Sequence, residues 1–373
     1  MQPTTTIADL VNKLEVLYGG GMVFIFWLIF TFLFFGLLFL TMTLLSRFAK
    51  DADARFVSDL NSYFEDRLLG LLYGMNEKSR EQNIQEIRIK QKTRFQKQLL
   101  ADTMVRLGKG LSGGLSKEVQ ELYRILDLDA YSLGKLKAMN WSIQASGINE
   151  LREMQVVEAV PTIRKLLNHR LALVRSNAQL ALLELENADD RLAVFEQINY
   201  PLSAWDQLRL HESLKSRNGA NIDSFSRLFG LQNQSIVIFG IRMSAFFGCS
   251  RDIHSLQQLS SHADARVRTE AIMALTRLGD YLLQQNLADQ FEVEENQVQK
   301  AILQYLMYTG FDKLSFFKNA LTHTDHEVSL QAAKALAQLQ PVGFPERYAE
   351  EFKEIPEVVA RLLHAADRRL QGA

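Results

Sequence analysis

Residues 253–280, IHSLQQLSSHADARVRTEAIMALTRLGD, decide the fold of this chain. Ile253, Leu256 and Leu259 recur at helical spacing, a polar turn follows, and Val267, Ala271 and Leu275 then form the stripe of a second amphipathic helix. A small residue at one turn and a leucine at the next lets neighbouring helices pack closely. Working outward, a polar turn enters an amphipathic helix again at Trp141, Val174, Leu208, Val237, Val298 and Val328, so the chain repeats at about 30-residue intervals. A second apolar helix precedes several of these points, as at Val160–Leu167, Ile222–Phe229 and Leu314–Leu321. The expected fold class is therefore all-α: an N-terminal transmembrane helix, a helical juxtamembrane region, and a C-terminal α-solenoid over 111–373 whose final helix pair, Phe344–Leu370, is the cap.

The residues resemble the HEAT-repeat family. The stretch VEAVPTIRKLLNHRLALVRSNAQLALLELE (157–186) and the one quoted above look like consecutive helix A, turn and helix B of that repeat, with Pro161 in helix A and the pairs Val174-Arg175 and Val267-Arg268 at the start of helix B. The resemblance implies that the arginine ties neighbouring repeats through a turn aspartate, and Asp264 matches that position. It covers about 138–340. Gln299 and Ser329 replace the arginine in later repeats, and the repeat entered at Leu208 carries Glu212 and Ser216 where small or apolar residues are usual.

At the other end of the chain, Met22–Leu45 holds 24 residues without a charge, including seven phenylalanines and Trp27. At about 1.5 Å per residue this gives a helix of about 36 Å, enough to cross a hydrocarbon core of about 30 Å. No polar face runs along it, which separates it from an ordinary core helix, and it exceeds the apolar centre of a signal peptide. Lys13 alone precedes it, whereas Arg47, Lys50, Arg55 and Arg67 follow, so the bias of basic residues places 1–21 outside and everything after Ser46 in the cytoplasm. The expectation is a single-pass protein of the cytoplasmic (inner) membrane. Ile7, Leu10, Val11, Leu14, Leu17 and Tyr18 predict a short amphipathic helix on the outer interface, and Phe56, Leu60, Phe64, Leu68, Leu71 and Leu72 an amphipathic helix over 52–74.

The juxtamembrane part, 46–110, contains Arg88, Lys90, Lys92, Arg94 and Lys97 with no acid among them, a candidate contact for anionic lipid or a partner. The formal net charge is −1, with the first 110 residues basic and the remainder mildly acidic, which disfavours nucleic acid as partner. One cysteine, Cys249, excludes an intramolecular disulfide.

Chemistry-bearing patterns are sparse. The LSGG of residues 111–114 has neither a following glutamine nor a Walker A motif elsewhere, and reads as a loop between helices. His323 and His326 form an HxxH in a polar turn, where solvation explains them, and no HExxH or GxSxG occurs. The expectation is thus no enzyme, no metal and no cofactor. What remains is a cytoplasm-facing scaffold or accessory subunit whose partner is a protein of the membrane. By resemblance only, bacterial single-span proteins of this layout look like accessory subunits of membrane machinery, a polysaccharide-synthesising glycosyltransferase being one candidate partner. The alternatives are a solenoid enzyme of lyase or DNA-glycosylase type, and self-assembly into a homo-oligomer through the Phe-rich span.

Overall fold

The computed structural model describes residues 7–18, 20–74, 77–187, 191–216, 222–339 and 346–362. The chain divides into two compact units, Met1–Leu128 and Asp129–Ala373. All regular elements among the described residues are helices.

The first unit contains α1 (Ile7–Tyr18), α2 (Gly20–Leu72), α3 (Glu77–Lys90), α4 (Arg94–Gly110) and α5 (Gly114–Ile125). The sequence predicts an apolar helix and a separate amphipathic one over 52–74; the structure joins them into the single 53-residue α2. The physical reason is that Ser46–Asp51 offers neither glycine nor proline to end the helix. Phe24–Arg47 of α2 is long and apolar enough to cross a membrane, and none of it is buried in the protein. Further along the same helix Leu60, Phe64, Leu68, Leu71 and Leu72 are buried where α2 meets α3, α4 and α5, whose Ile87, Leu100, Met104, Leu122 and Tyr123 are buried too. Polar ties fix the register. Arg67 of α2 donates to Asn83 of α3 at 2.8 Å and pairs with Glu86 at 2.8 Å, and Thr103 of α4 donates to Asn61 at 3.0 Å. Thr93 and Gln96 form a capping box at the start of α4. The expected boundary at 110/111 falls in the short loop between α4 and α5, both of which belong to this unit.

The second unit is a HEAT-like array of paired helices. Seven successive pairs are present among the described residues, each a short helix A and a longer helix B: α6 (Leu128–Lys135) with α7 (Trp141–Glu153), α8 (Val160–Arg164) with α9 (Ala172–Leu185), α10 (Ala193–Glu196) with α11 (Ala204–Ser216), a single turn at 226–228 with α12 (Gln234–Phe247), α13 (Ile253–Leu259) with α14 (Ala265–Leu278), α15 (Gln284–Gln290) with α16 (Asn296–Tyr308), and α17 (Leu314–Leu321) with α18 (His326–Leu339). Beyond them, α19 (Glu346–Glu351) and a helix over 356–362 lie where the cap is expected; Phe344, Arg368 and Arg369 fall outside the described residues.

The residue before each helix B is Asn140, Leu171, Ser203, Asn233, Asp264, Glu295 and Asp325, a period of 30 to 32 residues. Counted from these positions, the third residue enters the core in five of the seven repeats: Val174, Ile236, Val267, Val298 and Val328 are fully buried, whereas Ile143 is exposed and Asp206 is half-buried. Three of the seven expected entering residues are out of this register: Trp141 and Leu208 are 47% and 48% exposed, and Val237, although buried, stands one residue past Ile236. The repeat read as irregular regains its later core positions once shifted, with Leu210 and Leu214 buried in place of Glu212 and Ser216, although Asp206 stands where the others bury an aliphatic residue.

The ends of the B helices are equally periodic. Gly248, Gly279 and Gly310 take left-handed conformations (φ 70°, 76° and 72°) 31 residues apart. After each, a backbone N–H returns to the helix: Cys249 to Ser244, Asp280 to Leu275 and Phe311 to Leu306. Gln155 (φ 53°) does the same after α7 with an ordinary side chain. A Cβ at Gly279 would meet no neighbour, so its cost is conformational alone. Gly279→Ala is expected to destabilise the protein by about 1 kcal/mol, read as a lowered midpoint in thermal denaturation followed by circular dichroism.

Candidate interaction surface

The turn from helix A to helix B turns carbonyl groups inward, and one side chain in almost every repeat answers them. It stands four residues past the helix-preceding position. Gln144 donates to Leu136 O at 3.2 Å, Arg175 to His169 O at 2.9 Å, Gln207 to Leu202 O at 3.4 Å, Arg268 to His262 O at 2.8 Å and Ala263 O at 3.0 Å, and Gln299 to Phe291 O at 2.9 Å. Ser329 closes the series on Leu321 O. Gln299 and Ser329, departures from the family pattern in sequence, thus do the arginine's local work.

The arginines reach further than their shorter substitutes. Arg268 Nε and a terminal nitrogen also bind Glu294, at 3.0 and 2.6 Å, in the next repeat, and Arg175 lies 4.1 Å from the Tyr200 ring centroid. Asp264, which the resemblance pairs with Arg268, instead caps α14 by accepting from Arg266 N at 2.8 Å and pairs with the Arg266 guanidinium at 2.9 Å. That side-chain hydrogen bond from Arg266 chiefly holds its carboxyl down at about 2, below the usual 3.8. The turn histidines have a related duty that the sequence did not reveal. Nδ1 of His169, His262 and His323 accepts the N–H of Leu171, Asp264 and Asp325, two residues on. This explains half of the HxxH, and no group of three His, Cys, Asp or Glu able to hold a metal lies among the described residues.

Between successive B helices a ladder of polar contacts spans the array. Arg152 of α7 pairs with Glu184 of α9 at 2.9 Å, which also accepts from Ser213 of α11 at 3.2 Å. Arg242 of α12 donates to Gln207 of α11 at 3.0 Å and pairs with Glu270 of α14, and Lys300 of α16 pairs with Glu327 of α18. Inside the first pair, Glu150 and Lys135 are buried together at 2.6 Å, with Ser132 and Ser146 donating to the same carboxylate. Gly147 makes this close approach possible, since a Cβ there would stand 2.8 Å from Lys135 Cβ and 2.9 Å from Ser132 O.

A cleft of about 690 Å³ opens between α10 and the start of α12, lined by Glu196, Asn199, Gln232, Asn233 and Arg266. Its two charged groups are already engaged, Glu196 by Arg227 and Arg266 by Asp264, so the cleft offers hydrogen-bonding amides rather than an acid–base pair. Cys249 lies buried with its thiol pushed up to about 11, chiefly by that burial and then by Asp252 and Asp223, an inert setting for a nucleophile.

In the first unit the five basic candidates part company. Arg88 donates to Ile125 O at 2.6 Å, closing the end of α5, and Lys90 sits 5.4 Å from the Tyr63 ring centroid. Lys92 and Arg94 are exposed where α3 gives way to α4, and Lys97 is half-buried on the first turns of α4.

No protein-family model matches the chain, and no curated protein matches its sequence. Among solved structures, an engineered protein is 14% identical, covering 83% of this chain and 99% of that chain at a TM-score of 0.34. The complex of CpcE and CpcF of phycocyanin lyase from Nostoc sp. PCC7120 is 14% identical over 76% of this chain and 94% of that chain, at 0.25. A microtubule polymerase structure with tumor overexpressed gene (TOG) domain arrays is 10% identical over 84% and 97%, at 0.23. At such TM-scores these likenesses carry no argument, and the fold rests on the helix pairs themselves.

Two outcomes are expected from the turn geometry. Arg268→Met removes charge-assisted bonds to Glu294 and two turn carbonyls, and should cost about 2 kcal/mol in chemical denaturation. Because Asp264 is lowered on folding, its contribution is present above about pH 4 and lost as pH falls toward 2. Asp264→Asn, which retains a capping oxygen, should therefore show a shallower loss of thermal stability across that window than the unaltered protein.

Proposed function

We propose that this protein is a membrane-anchored helical-repeat scaffold that binds a partner protein on the cytoplasmic side. The observation that carries the binding role is a row of large apolar side chains left exposed at the starts of α7, α9 and α11: Trp141 and Ile143, Leu171 and Leu173, Trp205 and Leu208. These three helices are consecutive neighbours in the array. In the following four repeats, the position two past the helix-preceding residue carries Ser235, Arg266, Gln297 and Glu327, where Leu173 and Trp205 stand in the second and third. Scattered exposed leucines are ordinary, but two tryptophans and four aliphatic side chains gathered on adjacent helix ends match the aromatic anchors that dominate protein interfaces.

The anchor reading is supported by the 24-residue Phe24–Arg47 segment, exposed along its whole length, and by the basic residues that follow it. Confinement to the bilayer raises the effective concentration toward another membrane protein, so a modest contact surface suffices. An integral membrane enzyme, with a polysaccharide-synthesising glycosyltransferase as one candidate, is the partner class this reading favours.

Affinity purification of the full chain from its native membranes in mild detergent should recover one membrane protein in fixed ratio. Trp141→Ala combined with Trp205→Ala should reduce that recovery at least about tenfold while leaving the circular dichroism spectrum unchanged. A lone monodisperse monomer, or recovery untouched by the double substitution, would overturn the reading.

A further inference from the structure

The register of the first unit fixes how far its basic residues stand from the apolar segment. Thr103 of α4 bonds Asn61 of α2 at 3.0 Å, and Arg106, one turn on, reaches Glu65, one turn on, at 3.7 Å. The two helices therefore run in the same direction. From Arg47 to Asn61 α2 rises about 21 Å, and from Thr103 back to Arg94 α4 descends about 14 Å. The start of α4 thus lies only about 8 Å beyond Arg47, measured along α2. A bilayer carries about 5–8 Å of head-group layer on each side of its hydrocarbon core, and charges are felt over a Debye length of about 8 Å.

Lys92 and Arg94 are exposed at this height, Lys97 follows within one turn, and Phe95 among them is 51% exposed. The nearest acid on α4, Asp102, accepts from Gln98 at 2.9 Å and lies two turns further out. Arg88 and Lys90 stand apart from this group on α3, where they meet Ile125 O and the Tyr63 ring.

We propose that Lys92, Arg94 and Lys97, with Phe95 between them, hold the head groups of anionic phospholipid and so seat the first unit on the membrane. The proposal rests on α2 crossing the bilayer. Basic residues at a surface with an exposed aromatic among them are the combination that interfacial segments use. Three such charges correspond to a preference for anionic over neutral lipid on the order of 100-fold.

The test uses the full chain in nanodiscs of phosphatidylcholine, alone or with phosphatidylglycerol, and reads lysine acylation rates by mass spectrometry. Lys92 and Lys97 should react at least about fivefold more slowly in the anionic discs, while Lys109, about 18 Å further along α4, should react equally in both. Arg94→Gln should weaken the protection of both lysines, and high salt should abolish it. Inorganic phosphate added to the neutral discs should give no protection, which separates a head group from a free anion; protection by phosphate alone overturns the lipid assignment. Equal rates in both discs, with the protein inserted, overturn the proposal and leave the anchor standing. Failure of the chain to associate with discs of either composition overturns both.

Discussion

A carbonyl group turned inward at the bend between two helices must find a donor, and the second unit is organised around that demand. Its solution is positional. One side chain, four residues after the helix-preceding position, folds back over the turn as Gln144, Arg175, Gln207, Arg268, Gln299 and Ser329. Because the donor stands on helix B and the acceptors at the end of helix A or in the turn, each such bond locks the angle within a pair. Where the donor is arginine, the leftover hydrogen-bonding capacity or ring contact also reaches the next pair, to Glu294 or Tyr200. Local satisfaction and repeat-to-repeat order thus come from the same residue, with Val237 as the position where the turn lacks this help.

Much of this was legible in the sequence because apolar periodicity is strong. The repeat length, the paired helices and the long apolar segment all announce themselves through burial patterns. The misreadings have a common cause: large apolar residues near a helix start look like core. Trp141 and Leu208 drew the alignment to themselves, although the buried stripes of α7 and α11 are set by Ile148 and Leu151 and by Leu210 and Leu214. At α12 the two adjacent buried residues Ile236 and Val237 blurred the start by one residue. Polar equivalence was harder still to see, since Arg, Gln and Ser share no chemistry in sequence beyond a donor that reaches a turn.

The candidate contact residues were partly legible. Five basic side chains in a row look alike on paper, yet their partners come from elements far away in sequence: Ile125 for Arg88 and Tyr63 for Lys90. Only the parallel course of α2 and α4, fixed by Asn61 with Thr103 and Glu65 with Arg106, distinguishes the group at the start of α4 from the pair at the end of α3. The same holds for the exposed apolar row, which required knowing which helix ends are neighbours.

The unbroken course of α2 makes the first unit a lever. The helix that is long enough to cross a bilayer continues for 25 further residues to Leu72 and supplies core side chains from Leu60 onward. With no hinge between, an inclination of the apolar segment is carried to the far end of the bundle. A helix inclined at about 20°, the common value for spans, would carry Leu72 sideways by about 13 Å relative to an upright one. Membrane thickness, which sets that inclination, would then act as a mechanical input that α2 magnifies across the whole first unit.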